Sequence, residues 1–176
     1  MSAPILEARP IDEASYARYG QIVRAGSPER ARSANHGTAQ AWDGLATMHN
    51  LRPQASLQGS LFRCAPLRAS TLSVRRLERH PGSTQMFVPM QRSRYLVVVA
   101  LGDEAPDLST LAAFEVEGSA AITYAPGVWH HPMIALDEEI DFVNLIHADG
   151  SEGDCHEVAF EAEVAQVRFA RGPGSV

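Results

Sequence analysis

Beyond Leu57 the chain alternates short runs of β-forming residues with turn residues: LQGSLFRCA, TLSVRRLERH, MFVPM, RYLVVVAL, FEVEG, AAITYAPG and IDFVNLIHA. Short strands at nearly regular spacing predict a sandwich or a small barrel. Within Leu72–His80 a period of two sets Leu72, Val74, Arg76, Glu78 and His80 on one face, with Ser73, Arg75, Leu77 and Arg79 on the other. Tyr95–Leu101 shows no alternation, which predicts a strand buried on both faces. Ahead of these runs, Ile11–Gly20 reads as a short surface helix: Asp12 caps it, Tyr16 and Tyr19 share a face, and Gly20 stops it. Arg24–Gln40 has no apolar period and reads as a long loop, the kind that carries function or moves. PDLST introduces the one candidate helical turn of the later chain, Pro106–Ala113, and the Gly/Pro/Ser tail after Ala170 reads as frayed.

A length of 176 residues suits one domain, 1–176, and 45% hydrophobic with 20% charged residues is ordinary globular composition. The net charge is −6, and all fifteen basic residues are Arg, so no basic field exists for nucleic acid or an anionic bilayer. The longest apolar run is far short of the roughly 20 residues that span a membrane, and MSAPILEARP lacks the features of a secretory signal. A cytoplasmic protein whose partner is something small or another protein is expected. Cys64 and Cys155, widely separated, are then reduced structural thiols.

Three places can carry chemistry. Glu78 and His80, two apart on one strand face, can share a metal or divide acid and base duties; the bland alternative is a pair of solvated strand-end groups. In YAPGVWHHP a Pro-Gly turn presents His130 and His131, of which alternation lets only one enter a given cavity, so His131 is expected to turn away. Gln85 follows His80 across a turn that can return its amide to the same cavity. Arg63 is suited to grip a small carboxylate, and Asn35, beside His36 and Gly37 in the long loop, to hydrogen-bond a substrate, although both are also ordinary surface types. No GxSxG elbow, phosphate loop or CxxC pair is present, and His147 and His156 flank an acidic loop, Asp149–Asp154, that reads as a solvated hairpin.

Glu78, His80 and Gln85, then Gly118 leading through Pro126-Gly127 to His130, resemble the two signature motifs of the cupin barrel. Glu78 stands where that superfamily has a first His, and Gln85 where it has a Glu, so the donor set changes from mostly imidazole to mixed oxygen and nitrogen. More specifically, LERHPGSTQMFVPM, YLVVVALGDEAPDLSTLAAF, GVWHHP and DFVNL are similar to the ureidoglycolate lyase family of allantoin degradation, from about Pro10 to about Glu163. The resemblance implies a mainly β, cupin-type β-barrel with a few short helices, a homodimer, and cleavage of (S)-ureidoglycolate to glyoxylate and urea. Independently of the resemblance, Glu78, His80 and His130 can furnish the acid, base or metal set for that chemistry, with Arg63, Asn35 and Gln85 toward the substrate. A divalent metal held by Glu78, His80, Gln85 and His130 fits that chemistry. Hydrolysis of the same substrate at its amide, releasing ammonia and carbon dioxide, and a non-catalytic cupin that binds a small carboxylate remain as alternatives.

Overall fold

The computed structural model describes residues 3–170; the tail expected to fray lies outside them. Strands dominate, and the helical elements are single turns. A seven-stranded sheet runs in the order His156–Ala159, Arg76–Arg79, Trp129–His130, Ser93–Leu101, Asp107–Gly118 and Arg9–Pro10, with Ile134–Ala135 also paired to Ser93–Leu101. A five-stranded sheet runs Ile22–Val23, Ala121–Tyr124, Gln85–Pro89, Ile140–Ala148 and Ser56–Cys64. A third sheet joins Ile5–Glu7, Ala165–Arg168 and Thr71–Val74.

Two hydrophobic clusters hold these layers together. Tyr95, Val97, Val99 and Phe114 of the seven-stranded sheet meet Phe87, Ile122, Tyr124 and Phe142 of the five-stranded one. Leu96, Val98 and Ala100, on the opposite face of the same strand, meet Leu72, Val74, Ala165 and Val167 of the third sheet. Ser93–Leu101 is therefore buried on both faces from Tyr95 to Ala100, which is why its sequence lacks alternation. Burying each large aliphatic side chain stabilises the fold by about 1.5–3 kcal/mol.

The helix is one turn, Glu13–Tyr16, and Asp12 caps it by accepting from the Ser15 amide at 2.9 Å. Tyr16 and Tyr19 do not lie on the surface. Both rings pack on Phe114, and their hydroxyls donate to the carbonyls of Thr123 and Thr110. Gly20 is needed for contact as well as for stopping the helix, because a Cβ there would stand 1.8 Å from the Thr123 carbonyl oxygen.

Two expectations change. Pro106–Ala113 is no helical turn: Asp107–Gly118 is one long strand, and the Asp107 side chain and carbonyl absorb Ser109 and Thr110 in local turn bonds instead. Nor is Leu72–His80 one strand. It breaks between Val74 and Arg76, and the two pieces join different sheets. The break shifts the alternation, so Leu72, Val74 and Leu77 share one core while Glu78 faces away from it.

Candidate active site

His130 lies directly opposite Glu78 on one side and Val99 on the other, so all three side chains share the face that looks into the main core. Trp129, its neighbour, points into the second core. The Pro126-Gly127 turn closes the arrangement: Gly127 has φ 80°, and its amide donates to the His80 carbonyl at 3.0 Å. One hydrogen bond thus joins the two segments on which the cupin resemblance rests.

Glu78, His80 and His130 each bring a ligand-type atom within 4.8 Å of the others. His130 Nε2 stands 3.4 Å from Glu78 Oε1, and the two imidazole centroids are 5.4 Å apart. Each ring donates its Nδ1 proton to a backbone carbonyl, His80 to Asp154 at 2.7 Å and His130 to Val128 at 2.9 Å. A carbonyl can only accept, so each Nδ1 carries a proton, and in the neutral rings both Nε2 atoms present lone pairs. Those two Nε2 atoms are buried and meet no donor. Tyr124 lies flat against His130, with centroids 4.0 Å apart and planes 9° from parallel, which fixes the ring.

The electrostatics suit bases. Burial, reinforced by the neighbouring His130, pushes the His80 imidazole below its usual range, keeping it neutral. Burial works to raise Glu78, but the neighbouring imidazoles of His130 and His80 outweigh it and hold the carboxyl below its usual range. One carboxylate and two Nε2 lone pairs, with Nδ1 anchored on carbonyls, are a donor set that fits a divalent metal.

Among the other expected residues, Gln85 is buried on the inward face of the opposing sheet, beside Tyr124. His131 stays outside the cluster, its Nδ1 on the Pro132 carbonyl. Arg63 is not brought to the cluster. It is exposed on Ser56–Cys64 and grips Asp141 with two bonds of 2.8 Å, because Asp141 is its register partner across the sheet. Asn35 lies in the turn of a separate hairpin, Arg32–Ala34 with Ala39–Ala41, and its carbonyl is used there by Thr38.

The acidic loop is more than a solvated hairpin. Arg52 binds Asp149 and Ser151 at 3.2 Å each and also pairs with Asp154, whose carboxylate accepts from the Asp149 and Gly150 amides. Asp154 in turn holds His80. Sequence reasoning missed Arg52, which lies 97 and 102 positions from its acidic partners and carries no local signal. It missed Asn144 too, though alternation in IDFVNL places that amide inward beside Phe142.

The model of a family described as ureidoglycolate lyase matches residues 3–167. The chain belongs to the ureidoglycolate lyase family. A ureidoglycolate lyase of Salmonella typhimurium is 36% identical over 160 residues, covering 88% of this chain and 98% of that protein. One from Salmonella paratyphi B is 35% identical over the same span. Among solved structures, a dTDP sugar isomerase from Desulfovibrio desulfuricans has a TM-score of 0.48 at 20% identity, covering 81% of this chain and 85% of that one.

Proposed function

We propose that this member of the family cleaves (S)-ureidoglycolate to glyoxylate and urea in allantoin degradation. The observation that carries the reading is the pair of buried, unpartnered Nε2 lone pairs beside the Glu78 carboxylate. Ureidoglycolate bears a hydroxyl, a carboxylate and a ureido nitrogen on one carbon. An imidazole Nε2 takes the hydroxyl proton, the carbon–oxygen bond becomes a carbonyl, and the carbon–nitrogen bond breaks. The proton returns from the imidazole to the departing nitrogen, giving glyoxylate and urea with nothing consumed. A divalent metal held by Glu78, His80 and His130 would occupy these same lone pairs and would in that case replace the imidazole base, lowering the hydroxyl's pKa as a Lewis acid. Gln85 remains beside them as a further oxygen donor or a substrate contact.

The substrate carboxylate needs a cation, and Arg63 is spent on Asp141. Arg76 shares the face of Glu78 by alternation and pairs only loosely with the exposed Glu157, at 3.7 Å. It is the residue we assign to the carboxylate.

Two further properties belong to this reading. Ser56–Cys64 is a nine-residue strand at the edge of its sheet, with Leu57 and Leu61 both 56% exposed, and such edges are usually covered; a homodimer covers it. A cytoplasmic place fits the free thiols of Cys64 and Cys155.

The test is product analysis. Incubation with racemic ureidoglycolate is expected to release urea and glyoxylate in equal amounts. Ammonia without urea indicates hydrolysis at the amide, and saturable binding without any product indicates the non-catalytic alternative.

A further inference from the structure

Gln85 and Asn144 stand on the inward face of the five-stranded sheet, each only 4% exposed. The side-chain carbonyl oxygen of each, Oε1 of Gln85 and Oδ1 of Asn144, is fully buried and meets no donor. Buried acceptors of this kind are rare in folded proteins, and where they occur they call for an explanation. Asn144 Nδ2 donates to Ser60 Oγ at 3.1 Å, which orients the amide and turns its oxygen away from that hydroxyl.

The register brings the two amides together. Gln85 lies opposite Ile146, and Asn144 is two residues along the same strand, so the amides are diagonal neighbours on one face, about 7–8 Å apart at Cα. Gln85 is also directly opposite Tyr124, whose ring stacks on His130. Two unclaimed acceptors therefore share one inward face, and Gln85 sits beside the tyrosine that stacks on His130.

We infer that Gln85 and Asn144 form an acceptor pair for the N–H groups of the substrate's ureido end. The inference rests on the ureidoglycolate reading and deepens it. A ureido group carries three N–H donors and one carbonyl. The Nε2 lone pairs of the cluster are used for the hydroxyl proton or the metal, so the ureido N–H groups need acceptors elsewhere. Unpaired side-chain carbonyls on this inward face match those N–H groups, and a ligand without N–H would leave them unpaired. Sites built around such hydrogen bonds discriminate strongly against analogues that lack them. The pair would also hold the departing nitrogen while its bond to carbon breaks.

The test uses two near-isosteric variants, Gln85→Met and Asn144→Leu, and two ligands. Hydantoate keeps the ureido and carboxylate groups but lacks the hydroxyl, so it cannot lose urea; glyoxylate has no N–H. The inhibition constant of hydantoate is expected to rise about tenfold in each variant, on the scale of one lost hydrogen bond, while that of glyoxylate stays unchanged. Thermal midpoints should hold or rise, because each variant removes an acceptor that has no partner in the folded protein. A structural role would instead lower the midpoint and weaken both ligands alike, which would overturn the inference, as would no change in either ligand. Loss of divalent-metal binding in Gln85→Met with hydantoate unaffected would overturn it too, making Gln85 a ligand. If Asn144→Leu fails to fold, Ser60→Ala frees the amide and should raise the hydantoate constant more modestly; no rise counts against the pair. Failure of the parent reading looks different: wild-type protein that gives no urea but shows the hydantoate pattern would sink the lyase and keep the acceptor pair.

Discussion

His80 is held by the backbone of Asp154, its Nδ1 donating to that carbonyl at 2.7 Å, and Asp154 is itself held by Arg52 across 102 residues of sequence. The imidazole's orientation thus depends on a loop that an arginine from another part of the chain pins down. Gly82 makes this possible, since a Cβ there would stand 2.5 Å from Arg52 Nε.

Arg52→Ala should release the loop and lower kcat with little change in KM, because the substrate's own contacts remain. Arg52→Lys should restore part of kcat by pairing with one of the two aspartates. Nitrogen-15 spectra of labelled histidine check the cause: the single Nδ1–H form of His80 in the wild type should give way to a tautomer mixture in Arg52→Ala. An unchanged tautomer alongside a lower kcat would refute the coupling.

Replacing His80 or His130 with Ala should reduce turnover by at least about a hundredfold while circular dichroism stays native, the lower scale for losing a positioned proton-transfer group. Arg76→Ala should raise KM and leave kcat near wild type, and Arg63→Ala should change neither constant, since its partner is Asp141 on an exposed face. An effect on KM from Arg63 alone would reverse the assignment of the carboxylate contact.

Stripping divalent metal with a chelator should abolish turnover, and calorimetric titration should then show one site per chain. Glu78→Ala and His130→Ala should each lose that site, because both supply atoms of the same cluster. Full turnover in chelated protein would show that the imidazoles work alone.

The Arg52 loop carries its own pH signature. The Ser151 side chain and amide pull the Asp149 carboxyl down to about 2. A carboxyl whose folded pKa lies below its unfolded value, near 3.9, contributes stability above that value and loses it as pH falls through the folded one. The gap in thermal midpoint between wild type and Asp149→Asn, open at pH 7, should therefore close between about pH 4 and pH 2. A gap that survives to pH 2 would contradict the assignment.

Light scattering should give twice the chain mass. Leu61→Asp, placed on the exposed edge strand, should shift the protein toward monomer without unfolding it. A dimer unaffected by that change would move the interface elsewhere.

Much of this molecule was legible in its sequence because the relevant physics is local. Alternation alone places Glu78 and His80 on one face and separates His130 from His131, and the unbroken apolar run of Tyr95–Leu101 marks a strand with no solvent face. Asp12 caps its helix through a neighbour three residues away. Local pattern could not show that the strand breaks at Arg75, because Leu72, Val74 and Leu77 are apolar in either phase and only the choice of sheet partner sets which way they point. It could not show that Arg63 is engaged, since Asp141 is 78 residues away and meets it only once Ser56–Cys64 pairs with Ile140–Ala148. The same holds for Arg52 with Asp154 and for Gln85 beside Asn144. Period two determines which side chains share a strand face, whereas strand pairing across the chain, decided by the burial of two cores, determines which faces meet.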